Sequence, residues 1–230
     1  MQKKAPIVTI DGPAGSGKST IAKAVAWRLS FAYLDTGALY RAVAVELRRR
    51  HLSPEDDEGL SKLFSETAIS LVRDGTEQRV QVNGRDVTGE LRSEAISLLA
   101  SRISAKPAVR AFLIDIQRGC GRSGRLVAEG RDMGTVVFPE ANIKFFLDAS
   151  AEERARRRYR ELRAKGEAVD YDEILKDLIF RDRQDRERVH APLRAAPDAV
   201  VIDTTRLGID EVAEAILGVI RGRLEGDEAL

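Results

Sequence analysis

The chain holds a single cysteine, Cys120, in 230 residues, so no intramolecular disulfide can form. A fold without that staple suits a reducing compartment and has to be held by its core. Cys120 reads as a small, inert residue near a turn rather than a nucleophile. Histidine is almost as scarce. His51 follows Arg48-Arg49-Arg50 near an expected helix end and His190 precedes Ala-Pro, and both read as structural or solvated. The commonest general base is therefore missing from any obvious motif. The apolar run after Lys3 and Lys4 has only six residues, Ala5 to Ile10, too short for a signal peptide or a membrane span. Formal net charge is only +1, which gives no one-signed field for nucleic acid or an anionic membrane. The expectation is a soluble, cytoplasmic monomer whose partners are small molecules. Hydrophobic residues make up 43%, enough for a proper core. The length suits one large α/β domain carrying an insertion.

Apolar strand-like runs recur at Ile7–Ile10, Leu126–Ala128, Ile143–Leu147 and Ala199–Ile202, with helical segments between them. Strands apolar on both faces and alternating with helices predict a parallel sheet covered by helices. A helix over Lys18–Leu29 would set Ile21, Val25 and Leu29 on one face, and a closing helix over Ile209–Leu224 would repeat the spacing with Val212, Ala215, Ile216 and Val219. Residues after Arg223 read as a disordered tail. One stretch breaks the alternation. Ile69–Arg73, Arg79–Val82 and Arg85–Val87, joined by Asp74-Gly75 and Asn83-Gly84, predict an antiparallel meander followed by a helix over Glu94–Ile103.

Gly12-Pro13-Ala14-Gly15-Ser16-Gly17-Lys18-Ser19-Thr20 follows the first strand and opens the first helix. This is the phosphate-binding loop pattern in its required strand–loop–helix context. Its glycines let backbone N–H groups approach phosphate oxygens, and the positive helix end faces the same anion. Lys18 would reach the β- and γ-phosphates, and the Ser19 hydroxyl would ligate Mg²⁺. A nucleoside triphosphate, ATP, with Mg²⁺ is the expected pair.

Three further clusters narrow the chemistry. In Leu34-Asp-Thr-Gly-Ala-Leu-Tyr-Arg41, Asp35 or Thr36 could cap a helix, while Arg41 suits a phosphate. Glu129-Gly-Arg-Asp-Met-Gly-Thr135 follows a strand, where ligands bind in open parallel sheets, and pairs Arg131 with Asp132 between glycines. Arg154, Arg156, Arg157, Arg158, Arg160, Arg163 and Lys165 form a tract opposed within itself only by Glu161. A second series, Arg181, Arg183, Arg186 and Arg188, is mixed with acids and reads by default as a solvated face. No aromatic residue interleaves with the first tract to stack bases, so a lid closing over polyphosphate is favoured over an RNA surface. A GTPase switch would need an [NT]-K-x-D motif, and no such string occurs. A nucleoside monophosphate needs no base to accept a phosphoryl group, since its second pKa of about 6 leaves it mostly a dianion. A base-poor, arginine-rich phosphate-loop chain therefore fits a nucleotide-to-nucleotide kinase. A kinase for UMP, AMP or a metabolite hydroxyl stays open as an alternative, as does an RNA-binding regulator.

From about Pro6 to Arg221 the chain closely resembles the bacterial cytidylate kinases of the nucleoside monophosphate kinase family. The resemblance rests on Thr9–Thr20, Leu34–Arg41 and Gly130-Arg-Asp-Met-Gly-Thr-Val-Val-Phe-Pro139. It extends through Phe146–Arg158, Arg181-Asp-Arg-Gln-Asp185, Arg188 and Pro192-Leu193. It implies a phosphate-loop NTPase core at about 1–63, 103–150 and 191–224. It further implies an acceptor-binding insert at about 64–102, an arginine-rich helical lid at about 151–170 and a substrate-contacting helix at about 171–190. The activity implied is phosphoryl transfer from ATP to CMP or dCMP. By the same resemblance Arg41, Arg131 and Arg188 would grip the acceptor, mainly around its phosphate. Thr36, Arg110 and Asp132 would read cytosine, with Arg188 shared between phosphate and base. Arg181 and Asp185 would contact the pentose, with Ser101 supporting Asp185. Arg154, Arg157 and Arg158 would be the lid arginines, acting with Lys18 and Arg131 in catalysis. Many members have serine where this chain has Thr36, which keeps the hydroxyl.

Overall fold

The computed structural model describes residues 5–74 and 77–228. Five strands, β1 (Ile7–Asp11), β2 (Ala32–Asp35), β6 (Leu126–Gly130), β7 (Ile143–Asp148) and β8 (Val200–Asp203), form one sheet in the order β2-β6-β1-β7-β8. β1 pairs in parallel with β6 and β7, and β7 with β8. The three central strands are buried almost end to end, as their mainly apolar sequences predict, whereas edge strand β8 alternates half-buried and exposed residues. The described residues fall into two compact units, one of residues up to 32 together with those from 124 onward, the other Tyr33–Ser123.

In the first unit, α1 (Lys18–Leu29) and α8 (Ile209–Glu228) pack together beside the sheet. α1 buries Ile21, Ala22, Val25 and Ala26, while α8 buries Val212, Ala213, Ile216, Leu217 and Ile220. Two expectations are corrected here. Ala215 is exposed, because the wider apolar stripe at 212, 213, 216, 217 and 220 sets the helix rotation. The predicted tail after Arg223 is instead helix to Glu228, since adding residues to a formed helix avoids the nucleation cost. Helices α6 (Ala151–Ala164) and α7 (Tyr171–Glu187) form a hairpin, with Tyr159 and Tyr171 edge to face at 6.3 Å. α6 starts where Ser150 accepts from the Glu153 N–H at 3.2 Å, and α7 where Asp170 accepts from Glu173 at 3.0 Å. Burying side chains such as Ile10, Leu126 and Phe145, each contributing about 1.5–3 kcal/mol, supplies the stability that a disulfide might otherwise add.

The second unit is built around α2 (Thr36–Arg49), in which nine consecutive-turn positions from Thr36 to Leu47 are buried. α2 packs on α4 (Glu94–Ile103), α5 (Pro107–Cys120) and strand β4 (Glu77–Val82). α3 (Asp57–Ser65), capped by Asp56, packs on α5 and stacks Phe64 on Phe112 at 4.6 Å. The predicted meander is present as β3 (Ile69–Asp74), β4 and β5 (Arg85–Asp86), paired antiparallel. Asn83 and Gly84 both adopt positive φ, +50° and +79°, as a two-residue hairpin turn between Val82 and Arg85 requires. The other predicted turn, Asp74-Gly75, falls partly outside the described residues. Among the described residues no helix is long and apolar enough to cross a membrane.

Candidate functional site

β1 is the middle strand of the sheet, and its carboxyl end runs straight into the glycine loop. Gly15 takes φ +76°, and a Cβ there would lie 3.1 Å from the Cβ of Arg154, so the first turn of α6 packs directly on the loop. Gly17, also left-handed at φ +88°, leads into α1 without any side-chain cap, which leaves the first N–H groups of that helix for an anion. Lys18 is buried and its Nζ donates to the Pro13 carbonyl at 2.7 Å. Burial first, and the positive Arg131 second, push its pKa down to about 7, against the pull of Glu129, Asp11 and Asp185. The Ser16 hydroxyl is buried without a hydrogen-bond partner among the described residues, while Ser19 and Thr20 are exposed on the first turn of α1. A buried lysine, a buried hydroxyl without a partner among the described residues and open helix N–H groups around one loop are the donor set that an anion would complete.

Acidic groups crowd the same strand ends. Asp11 is buried, and burial raises its pKa to about 7 despite hydrogen bonds from the N–H groups of Gly134 and Met133, each 2.8 Å. Asp132 is buried with its Oδ1 3.7 Å from one terminal guanidinium nitrogen of Arg188, whose other terminal nitrogen lies 3.8 Å from Asp185. Arg131 donates from Nε to Asp185 at 2.8 Å. Burial alone would lower the Arg131 pKa, but the charge of Asp185 reverses that and holds the guanidinium firmly protonated. Arg131, Asp132, Asp185 and Arg188 are thus brought into one buried network of alternating charge. Arg181 sits on α7, one turn before Asp185.

The arginine tract proves less one-signed than its sequence. Glu153, one position before the tract, pairs with Arg156 at 2.5 Å and Arg157 at 3.3 Å, and Glu161 pairs with Arg158 at 3.0 Å. Arg154 is buried and fully engaged, donating to the Ala149 carbonyl, to the Ala14 carbonyl of the loop and to Asp182 at 2.6 Å. Arg157 donates to the hydroxyl and carbonyl of Thr204, whose own hydroxyl lies 3.3 Å from the Ser16 carbonyl. On α7 the reading as a solvated face holds for Arg183 with Glu187, but Asp182 and Asp185 are buried.

The unit Tyr33–Ser123 carries the remaining predicted residues. Asp35 is the N-cap of α2, accepting from the Ala38 N–H at 3.0 Å, and its second oxygen takes Arg41 at 2.7 Å. Thr36 is the buried first residue of that helix, and the Arg41 Nε is buried without a partner among the described residues. Arg110 on α5 donates to the Tyr40 hydroxyl at 3.1 Å and to the Ser104 carbonyl at 3.4 Å. Ser101 is half-buried on α4. Gln78 on β4 was not anticipated. Its Oε1 accepts from the Asp35 N–H at 3.1 Å, tying the meander to the corner that carries Thr36 and Arg41.

The family model of the cytidylate kinases matches residues 8–222. The chain belongs to the cytidylate kinase family. Cytidylate kinases of Geobacter sp. (strain M21) and Methylococcus capsulatus are 50% and 49% identical to it, covering 96% of this chain in both cases and 96% and 99% of their own lengths. The cytidylate kinase of Carboxydothermus hydrogenoformans is 49% identical across 93% of this chain and 96% of its own. A solved structure of an uncharacterized protein from Eubacterium ventriosum overlaps 96% of this chain and 99% of that one, with a TM-score of 0.50. At 12% identity that is a likeness of fold alone.

Missed by sequence reasoning were Gln78, Asp182, Thr204 and the use made of Asp11. Each acts through a partner far away in the chain. Only Asp182 carried a visible signal, an acid inside an arginine series.

Proposed function

We propose that the protein transfers the γ-phosphoryl group of ATP to CMP or dCMP, giving ADP and CDP or dCDP. The match of nearly the whole chain to the cytidylate kinase family carries this reading. Neither histidine is enclosed in a site, since His51 and His190 are both exposed, and a monophosphate dianion needs no proton removed.

In this reading ATP lies in the glycine loop with its β- and γ-phosphates on the N–H groups of Gly12–Thr20. Phosphate oxygens replace the Pro13 carbonyl as the partner of Lys18, and their negative charge opposes the lowering of its pKa by burial and Arg131. Lys18 then stays protonated and neutralises charge on the passing phosphoryl group. Arg154, Arg157 and Arg158 approach from α6, Arg157 and Arg158 exchanging Thr204 and Glu161 for phosphate. On the acceptor, Arg41, Arg131 and Arg188 hold the phosphate, and Arg181, Asp185 and Ser101 serve the pentose. Asp132 accepts from the cytosine 4-amino group, with Thr36 and Arg110 on the other polar edges of the base. Uracil would set a carbonyl against Asp132, acceptor facing acceptor.

The donor set suits Mg²⁺ delivered with the nucleotide. The exposed Ser19 hydroxyl is a hard oxygen at the loop, and no cluster of three or more acidic, histidine or cysteine ligands occurs among the described residues. Ser19 would hold the ion, which would screen the β- and γ-phosphate charge.

The test is ADP formation from MgATP with CMP, dCMP, UMP, AMP and GMP in parallel. Turnover concentrated on CMP and dCMP is expected. ATP binding without turnover of any monophosphate would discard the assignment in favour of a hydroxyl acceptor.

A further inference from the structure

We propose that Asp11 is a positioning residue for acceptor selectivity, acting by fixing the backbone that carries Asp132. The inference rests on Asp132 reading the cytosine.

Asp11 ends the central strand, opposite Gly130 of β6 and Phe146 of β7. The chain leaves β6 at Gly130, passes Arg131 and Asp132, and enters a short wide helical turn over Met133–Val137. The first N–H groups of any helical turn lack partners within it. Here one carboxylate from the neighbouring strand takes two in succession, Oδ1 from Met133 and Oδ2 from Gly134, both at 2.8 Å. The Asp132 carbonyl meanwhile accepts from Val136 at 2.9 Å and Val137 at 3.2 Å. The residue assigned to the base is thus tied down through its own carbonyl and through the two amides that follow it. The turn is also pressed against the sheet. A Cβ on Gly134 would stand 2.9 Å from the Thr9 hydroxyl on β1 and 3.1 Å from the Lys144 side chain on β7.

Asp11 lies beside the glycine loop, so the competing role is ordering water on Mg²⁺. The geometry favours the first role, since each carboxylate oxygen already faces a backbone amide. Asparagine in its place keeps one acceptor but turns an NH₂ toward the second N–H, donor against donor.

The experiment compares D11N, G134A and D132N for kcat and KM with CMP and UMP, for MgATP affinity and for the Mg²⁺ concentration giving half-maximal rate. G134A displaces the same turn while leaving the Asp11 carboxylate in place, and it decides the matter if D11N does not fold. Both D11N and G134A should lower the CMP-over-UMP ratio of kcat/KM by about tenfold or more, the scale of one misplaced base contact. MgATP affinity and the Mg²⁺ requirement should hold. An unchanged ratio in a folded D11N or in G134A, with D132N altering it, would overturn the role of Asp11 alone. A raised Mg²⁺ requirement in D11N at a constant ratio would do the same and assign the carboxylate to the metal. If D132N itself leaves the ratio intact, the base-reading assignment falls and the proposal with it.

Discussion

Two buried carboxylates, one in each unit, are pushed in opposite directions. Asp11, at the end of β1, has its pKa raised to about 7 because burial outweighs its two backbone hydrogen bonds. Glu46, on α2 and also inaccessible to solvent but lying less deep, has its pKa lowered because Arg49 and then Arg50 hydrogen-bond to it at 2.5–3.0 Å. The difference lies in depth of burial and in compensation. Glu46 is neutralised locally by residues three and four positions on, as helix geometry provides. The strand ends around Asp11 instead hold Lys18 with a depressed pKa, and the hydroxyls of Thr9 and Ser16 are buried without a hydrogen-bond partner among the described residues. Polar groups are left that way where a ligand completes them, and a stability optimum would not retain them.

The sharpest way to break this comparison is Lys18→Ala. If the loop is arranged for a polyanion, turnover should fall by roughly 10²–10³-fold, the usual loss on removing one donor to transition-state charge. The fold should persist, because the unliganded protein gains little from a cation it has to desolvate. ADP formation and a thermal melt of the same preparation measure both halves. Loss of folding together with activity would mean that the lysine is a structural residue.

Glu46→Gln probes the compensated side. Removing the charge from under two arginines should cost about 2 kcal/mol at neutral pH, the scale of a charge-assisted hydrogen bond. The pH dependence follows from the sign of the shift. A carboxylate whose folded pKa lies below its unfolded value of 4.5 stabilises above that pH, and the benefit is lost as pH falls through the folded pKa. The natural protein should therefore lose stability below about pH 4.5 more steeply than Glu46→Gln, so that denaturation curves of the two converge in acid.

The same contrast explains what could be read from the sequence. The sheet was legible because Val8, Ile10, Val127 and Phe145 belong to apolar runs bounded by glycine or charge. The glycine loop and the Asn83-Gly84 hairpin were legible because backbone geometry dictates both motifs. α3 was overlooked because its nine residues hold few apolar side chains, although Asp56 offers a cap. Lys18 and Thr36 open helices and Arg131 and Asp132 follow a strand, whereas Arg181 lies mid-helix and Ser101 and Asp185 lie near helix ends. What stayed hidden depends on distance along the chain. Asp11 meets Met133 across 122 positions, and Asp35 meets Gln78 across 43, and no spacing rule connects either pair. Arg154 also differed from its sequence reading, since a tract that looks exposed and basic does not disclose that one member is turned inward onto Asp182.

The smallest expected effect concerns charges that stay in water. Arg28 on α1 bridges Glu214 at 2.6 Å and Asp210 at 3.3 Å on α8, with the acidic side chains 60% and 91% exposed. Two contacts at good distances resemble the pair on Glu46, yet solvent screens them and both long side chains lose freedom to make them. Arg28→Ala should cost only about 0.5 kcal/mol, and the difference should vanish near 1 M salt, where the screening length is roughly 3 Å. Denaturant unfolding at low and high salt would show it. A loss as large as that of Glu46→Gln, persisting in salt, would mean that distance rather than burial governs these ion pairs. The contrast between the two carboxylates would then need another explanation.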